Sequence, residues 1–299
     1  MERSRFVEKM KDQLRSTYEI IKELTSTVRG KVGFSITLMF FFMATIGPII
    51  LPLNPMSFKL SDAYKPPSLE HPLGTDYFGR DVLRMIVAGS RDVILVGVLA
   101  AFITLGIGLV VGMTAGYVGG IVDSALMTMA DIVLTIPGFP LLLVLASTVF
   151  KKAMDPFSLA LVLSIAAWAG LSRSIRSQVL SLKEREFIEA AKCLGLSRLH
   201  IIFKEVLPNL APYIVTILIL QVTRAIYSEV ALYTLGVAPY NTTNWGVMLN
   251  NAIQQSGAIY STRRSNLLAP AFFIVLLQLG LITLAGGLDE VLNPRIRRK

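Results

Sequence analysis

Six stretches of this chain contain no Asp, Glu, Lys or Arg, and they alternate with segments rich in those residues. A helix needs about 20 mostly apolar residues to cross the hydrocarbon core of a membrane. We therefore predict six transmembrane helices, of which the shortest, 156–172, is marginal in length. The six stretches are 32–58, 93–122, 132–150, 156–172, 206–223 and 265–288.

The composition agrees with this pattern. Hydrophobic residues make up 53% of the 299 positions, charged residues only 16%, and the mean hydropathy is +0.61. These values exclude an ordinary soluble domain. The single cysteine, Cys193, cannot form an internal disulfide, and we interpret it as a small packing residue.

The positive charge is concentrated in three segments, which carry 19 of the 29 Lys and Arg residues. Eight lie in 1–31, seven in 172–208 and four in 295–299. Six spans place all three segments on one side of the membrane, and the positive-inside rule makes that side cytoplasmic. We therefore expect a multi-pass protein of the cell (inner) membrane with both termini in the cytoplasm. Because the net charge of +9 is explained in this way, we predict no nucleic-acid partner.

A charged segment, 181–208, separates the fourth and fifth predicted spans. Ser181 and Glu184 form a capping-box pattern, and apolar residues then recur at helical spacing. Gly195 suits the left-handed position that ends a helix, and Ser197 suits the start of a second one. We predict a helix–turn–helix at the inner membrane surface. The predicted apolar face of its first helix consists of Phe187, Ala190, Ala191 and Leu194.

Small and helix-breaking residues mark two of the spans. Gly108, Gly112 and Gly116 are four residues apart and form one stripe of the second span, which predicts close helix packing. Pro137 and Pro140 flank a glycine in the third span and predict a break in that helix. Broken helices often line transport pathways, but they also serve plain packing. Both interpretations of Pro137 stay open.

Two charged residues lie within or beside predicted spans. Asp131 is flanked by apolar residues, and either Arg173 or Arg176 is placed to pair with it. A structural ion pair and a substrate contact are the two interpretations of Asp131. Arg224 lies 16 residues beyond Pro208, about 24 Å along a helix, where it either reaches the membrane interface or faces a pore.

Several motifs together resemble the permease subunits of ABC importers, in the dipeptide, oligopeptide and nickel branch, and more narrowly the second permease of the pair. Each motif alone is weak, but their order along nearly the whole chain is specific. The motifs are His71-Pro-Leu-Gly-Thr-Asp-x2-Gly-Arg-Asp81, Ala115-Gly-Tyr-x-Gly-Gly120, Asp131-x5-Pro137, Glu189-Ala-Ala-x3-Gly195 with Leu207-Pro208, Asn244-Trp-Gly-x-Met-Leu249 and Asp289-x3-Asn-Pro-Arg295. One departure is Glu205, where the wider permease pattern prefers Ile.

The resemblance implies an all-α membrane protein with the type I ABC importer permease fold and a cytoplasmic coupling helix between the fourth and fifth transmembrane helices. It implies that Glu189, Ala190, Ala191, Gly195, Leu207 and Pro208 couple the chain to an ATPase. Asp131, Pro137 and Arg224 are candidates for the translocation pathway because of their own chemistry and their place in the spans. The implied segments are a cytoplasmic N-terminal segment 1–31, a first transmembrane helix with an extracytoplasmic loop 32–91, a permease core 92–288 that contains the coupling loop 181–208, and a cytoplasmic tail 289–299.

The resemblance also implies a set of partners and a cargo. The partners are a homologous second permease, two ATP-binding cassette ATPase subunits and an extracytoplasmic solute-binding protein. The chain forms half of a pore for di- and oligopeptides, with oligosaccharides and nickel chelates as alternative cargoes. ATP and Mg are used by the ATPase subunits, and this chain binds no cofactor itself.

The sequence agrees with a non-catalytic role. It contains no Gly-x4-Gly-Lys-Ser/Thr loop to hold nucleotide phosphates. Its two histidines, His71 and His200, are predicted on opposite sides of the membrane, so they cannot form a catalytic pair. An ATP-independent secondary transporter is the alternative of another class, and it should show paired broken helices or a ladder of intramembrane ionisable groups.

Overall fold

The computed structural model describes residues 19–53, 59–149, 155–238, 241–254 and 262–292. Most of the predicted N-terminal segment and of the C-terminal tail, including Asn293-Pro-Arg295, therefore lie outside the described residues. The regular secondary structure of the described part is helical, apart from an isolated β-bridge between Thr75 and Asp81. Its main helices are α1 (Val28–Thr45), α2 (Val82–Val118), α3 (Gly120–Thr135), α4 (Gly138–Val149), α5 (Pro156–Lys183), α6 (Glu186–Cys193), α7 (Leu207–Thr234), α8 (Trp245–Gln254) and α9 (Ser265–Leu292). Shorter helical segments are Gly47–Ile50, Leu60–Asp62, Arg198–His200, Ile201–Val206 and Thr262–Arg264.

Among the described residues, five helices are long and apolar enough to cross a membrane, and α3 with α4 forms a sixth candidate bent by 84°. The bent pair traverses the bundle. Arg176 near the end of α5 hydrogen-bonds Asp123 at the start of α3, whereas Leu142 of α4 packs with Leu159 at the opposite end of α5. The pair therefore acts as one broken span, and the prediction of six spans, with a break at Pro137, is confirmed.

Several helices extend beyond the charge-free stretches that predicted them, whereas α1 ends at Thr45, within the stretch 32–58. The fourth span, predicted as 156–172, is a helix of 28 residues that continues to Lys183. Its basic residues are accommodated by partners, since Arg176 pairs with Asp123 and Lys183 Nζ donates to the carbonyl oxygen of Tyr117 at 2.8 Å. The chain ends α2 and begins α3 at two residues with positive φ, Gly119 and Gly120.

The longest helix, α2, lies at the centre of the bundle and packs against α5 through the predicted glycine stripe. A Cβ atom added at Gly112 would lie 2.6 Å from the carbonyl oxygen of Ser172, and one at Gly108 would lie 2.8 Å from Leu171. At Gly116 the neighbour is Val179, at 2.9 Å. Only residues without a side chain allow the two backbones to approach this closely, so the packing role predicted for the stripe is confirmed.

We expect Gly112→Ala to lower the thermal stability of the protein in detergent, because the new methyl group must force α2 and α5 apart. Overpacking of this kind costs about 1–3 kcal/mol. Gly106→Ala is the matched control, since a Cβ atom there meets nothing within 4 Å and alanine favours the helix. Equal melting temperatures for the two variants would show that the contact between α2 and α5 is not tight.

At the end of the bundle opposite α6, residues 59–81 fold into a compact cap on the start of α2. Asp81 accepts a hydrogen bond from the backbone N–H of Arg84 at 2.9 Å and also contacts His71 Nδ1 at 2.9 Å. Arg80, which is buried, donates to Asp76 Oδ2 at 2.6 Å. Gly74 and Gly79 both have positive φ, as their predicted turns require. The motif from His71 to Asp81 therefore fixes the start of α2.

Candidate functional site

Helix α6 is held between α5 and α7, where the coupling helix was predicted. It ends at Gly195, whose φ of +72° and N–H bond to the Lys192 carbonyl oxygen close the helix as predicted. Ser197 Oγ accepts the N–H of His200, which confirms the second predicted cap. The capping box of Ser181 and Glu184 was wrong, because α5 continues to Lys183 and α6 begins after Arg185.

The inward face of α6 packs tightly onto the transmembrane bundle. Ile188 and Ala191 are buried in a cluster with Ile175 and Val179 of α5 and with Ile201 of the following segment. Of the predicted apolar face, Ala191 is buried as predicted, whereas Phe187, Ala190 and Leu194 are exposed and Ile188 takes the buried position. Phe187 is 39% exposed and Leu194 is 78% exposed, so the helix turns its apolar flank away from the chain.

The outward face of α6 is formed by two acidic and two small residues. Glu186, Glu189, Ala190 and Cys193 are all exposed, and their spacing of three, four and seven residues places them on one side of the helix. Cys193 is thus a surface residue and does not pack inside the chain, which corrects its predicted role. Small residues permit close approach of another surface, and the carboxylates suit a basic partner.

The other predicted coupling residues differ in exposure. Gly195 and Pro208 are exposed, whereas Leu207 is half-buried and packs against the cluster under α6. Pro208 stands at the start of α7, directly after the π-helical segment Ile201–Val206. The coupling role of all six residues stays a prediction.

A cleft with a volume of about 730 Å³ lies between α4, α5, α7 and α9. Its wall is mostly apolar, with polar groups from α7 and α9. The described residues that line it are Leu134, Gly138, Phe139, Leu142, Leu163, Ala166, Ala167, Gly170, Gln221, Thr223, Arg224, Tyr227, Ser228, Gln278 and Ile282.

The three residues predicted for the pathway lie in different places. Arg224 lines the cleft, and Pro137 lies at the break directly before the lining residue Gly138. Asp131 is not among the described lining residues. It pairs with Arg173, one of its two predicted partners, and both side chains are about half exposed. The structure brings Arg224 and the break together and leaves Asp131 apart.

A buried polar pair, Glu229 with Asn244, lies near the end of α7, and it was not predicted from the sequence. Glu229 is 1% exposed and accepts a hydrogen bond from Asn244 Nδ2 at 3.0 Å. Its Oε2 atom has no hydrogen-bond partner among the described residues. Asn244 belongs to the quoted Asn-Trp-Gly motif, and Trp245 beside it donates to the carbonyl oxygen of Ile86. A polar Asn244 beside the apolar Trp245 was the sequence signal that a buried polar partner, here Glu229, lies nearby.

Comparison with known proteins agrees with this geometry. A sequence profile of the binding-protein-dependent transport system inner membrane component family matches residues 108–298. The dipeptide transport system permease protein DppC of Bacillus subtilis is 35% identical over 285 residues, covering 94% of this chain and 87% of the relative. The oligopeptide transport system permease protein OppC of the same organism is 32% identical and covers 89% of this chain and 86% of the relative.

Solved structures agree at the level of the fold. An inward-facing conformation of the MetNI methionine ABC transporter superposes with a TM-score of 0.53 at 17% identity, covering 68% of this chain and 96% of that chain. At this identity the likeness concerns the fold alone, which is the predicted type I importer permease fold. With a profile match across most of the chain and relatives above 30% identity, the predicted resemblance is confirmed, and the chain belongs to the family of binding-protein-dependent transport system inner membrane components.

Proposed function

We propose that this chain is one permease subunit of an ATP-driven importer and that α6 receives the motion of an ATPase subunit. The observation that carries the proposal is the two-sided construction of α6. Its inward face is fixed to α5 by Ile188 and Ala191, while its outward face offers exposed acidic and small residues. A helix built in this way suits docking from outside the chain and transmission of force into it.

The contacts around α6 indicate how force would pass into the membrane. Ile188 and Ala191 share one cluster with Leu105 and Met113 of α2. Lys183 Nζ also bonds the Tyr117 carbonyl oxygen, which joins the inner ends of α5 and α2. A displacement of α6 would therefore move α2 and α5 together.

The proposed assembly contains a second, homologous permease, two ATPase subunits that use ATP and Mg, and an extracytoplasmic solute-binding protein. No group of three or more metal-binding side chains is found in the part of the chain that the structure describes, and the proposed role assigns this chain no catalysis and no cofactor. The proposed orientation places α6 and both termini in the cytoplasm, because the three basic segments then lie inside.

For the cargo we propose di- and oligopeptides. The two Bacillus subtilis relatives are a dipeptide and an oligopeptide transport permease, which favours peptides over oligosaccharides or nickel chelates.

The proposal predicts that ATPase subunits bind the tagged chain and shield Cys193. We would purify the chain from its native membranes in mild detergent, identify the co-purifying proteins by mass spectrometry, and label the only cysteine with a maleimide before and after stripping the partners. We expect a second permease and one or two ATPases, with slow labelling of Cys193 that becomes fast when they are removed.

The matched control carries Cys193→Ser and Ser26→Cys. Ser26 is exposed before the start of α1, away from α6, so its labelling should not depend on the partners. A chain that purifies alone and moves solute in vesicles without ATP would overturn the proposal in favour of a secondary carrier.

A further inference from the structure

The cleft contains a positive charge with no counter-charge. Arg224 is exposed on α7 and lines the cleft. It has no ion-pair partner among the described residues, and none of the described lining residues is Asp or Glu. A guanidinium group within a transmembrane helix is costly unless it finds a partner. Its natural partner is a group with negative charge and two acceptor oxygens, which guanidinium binds with two parallel hydrogen bonds.

A second donor in the same cleft also lacks a partner. Gln221 is only 3% exposed, yet its Nε2 atom makes no hydrogen bond within the described part of the chain. Leaving a buried polar group unsatisfied costs free energy that folding does not recover. Gln221 lies three residues before Arg224, so both side chains project from one face of α7.

The hydroxyl-bearing residues of α7 extend this polar face. Tyr227 and Ser228 lie three and four residues after Arg224 and also line the cleft. Thr223 already donates its hydroxyl to the Ile219 carbonyl oxygen, and Gln278 donates to the Thr223 carbonyl oxygen, so these two residues are engaged within the bundle. The groups left for a ligand are Arg224, Gln221, Tyr227 and Ser228.

The opposite wall of the cleft is apolar. It is formed by the described residues Leu134, Phe139, Leu142, Leu163, Ala166 and Ile282. A molecule with one anionic end and an uncharged or apolar body matches this division. We propose that Arg224 and Gln221 form a carboxylate subsite in the translocation pathway, which receives the C-terminal carboxylate of a short peptide as it passes.

This inference rests on the proposed function, since it concerns the cargo of the proposed pathway. It adds a chemical requirement, namely that the cargo carries a free carboxylate. A neutral oligosaccharide would leave Arg224 and Gln221 without a partner, and the site would then oppose its passage.

The experiment compares peptide acids with their amides in the complete importer. The complex, purified with its own partners and binding protein, is reconstituted into proteoliposomes and supplied with a mixture of alanine di- to pentapeptides. Each peptide is present as the free acid and as the C-terminal amide, and ATP-dependent accumulation is measured by mass spectrometry. The acid-to-amide ratio is compared between wild type and variants, so that any preference of the shared binding protein cancels.

We expect Arg224→Gln to lower the acid-to-amide ratio by about tenfold, as expected for loss of a charge-assisted hydrogen bond. Arg224→Lys should retain part of the preference, because it keeps the charge. Gln221→Leu should also lower the ratio while preserving the fold, since it removes a buried amide that has no partner. Co-purification of the partner subunits with each variant controls for assembly.

Two outcomes would overturn the inference separately from the proposed function. If Arg224→Gln and Gln221→Leu reduce the uptake of acids and amides equally, or do not affect it, then Arg224 pairs with another subunit or with lipid headgroups, and the subsite does not exist. If the wild-type complex shows no ATP-dependent uptake of any peptide, the proposed peptide cargo fails first, and the inference fails with it.

Discussion

Glu189→Arg should reduce ATP-driven uptake by at least about tenfold while leaving the folded chain as stable as wild type. Glu189 is exposed on the outward face of α6 and forms no salt bridge within the described part of the chain. Its place in the first turn of the helix is worth only about 0.3–1 kcal/mol. The reversal would instead place a cation against the basic surface that we expect on the ATPase. Breaking one close charge pair at an interface typically costs about 2–5 kcal/mol. A loss of this size is enough to weaken docking of the ATPase and so to reduce transport.

The matched control is Glu184→Arg, the same charge change five residues earlier. Glu184 is exposed at the end of α5 and lies outside α6. Three measurements separate the possibilities, namely the melting temperature of each variant, the amount of ATPase that co-purifies, and uptake driven by ATP. Full uptake by the Glu189 variant would remove α6 from the coupling path, and equal losses in the two variants would indicate a general effect of charge.

Asn244→Leu should strongly destabilise the protein, with a melting temperature lowered by about 5–10 °C. The variant removes Asn244, the hydrogen-bond donor that the buried Glu229 carboxyl has among the described residues. A buried carboxyl without a donor costs about 1–3 kcal/mol, more if charged. The variant also removes the acceptor for the N–H of Gly246 at the start of α8, a capping bond of about 1 kcal/mol.

A double variant distinguishes these two costs. Adding Glu229→Met to Asn244→Leu replaces both polar partners by apolar side chains of similar length, which can be nearly neutral for stability. We therefore expect the double variant to recover most of the lost melting temperature. The remaining loss should be that of the missing hydrogen bond to the N–H of Gly246. If the double variant is less stable than Asn244→Leu alone, the hydrogen bond between Glu229 and Asn244 is not the source of the destabilisation.

The sequence predicted the six spans, the break at Pro137 and the position of α6, because each depends on local signals. These signals determine the conformation of the residues next to them. They are a long apolar stretch, a proline within a span and a glycine after a short amphipathic helix. The orientation of α6 was harder to predict. In a helix of eight residues, Phe187 and Ile188 are adjacent and both apolar, and only contact with α5 determines that Ile188 is the buried one.

The remaining differences arise from contacts between residues far apart in the chain. The fourth span appeared too short because Arg173 and Arg176 read as its end, whereas their partners Asp131 and Asp123 lie 42 and 53 residues earlier. The burial of Glu229 could not be predicted, because its partner follows 15 residues later, beyond the end of the helix. A prediction from hydropathy places every charged residue in water, because it contains no information about a distant partner.

The unbroken length of α2 has a mechanical consequence. At 1.5 Å per residue, its 37 residues form a rod about 55 Å long, gripped at one end by the fold around Asp81 and at the other by Lys183. A tilt of about 5° around its midpoint would carry each end about 2 Å in opposite directions. Such a rod acts as a lever that pivots inside the membrane. A displacement of one end at one membrane surface therefore moves the other end in the opposite direction at the other surface.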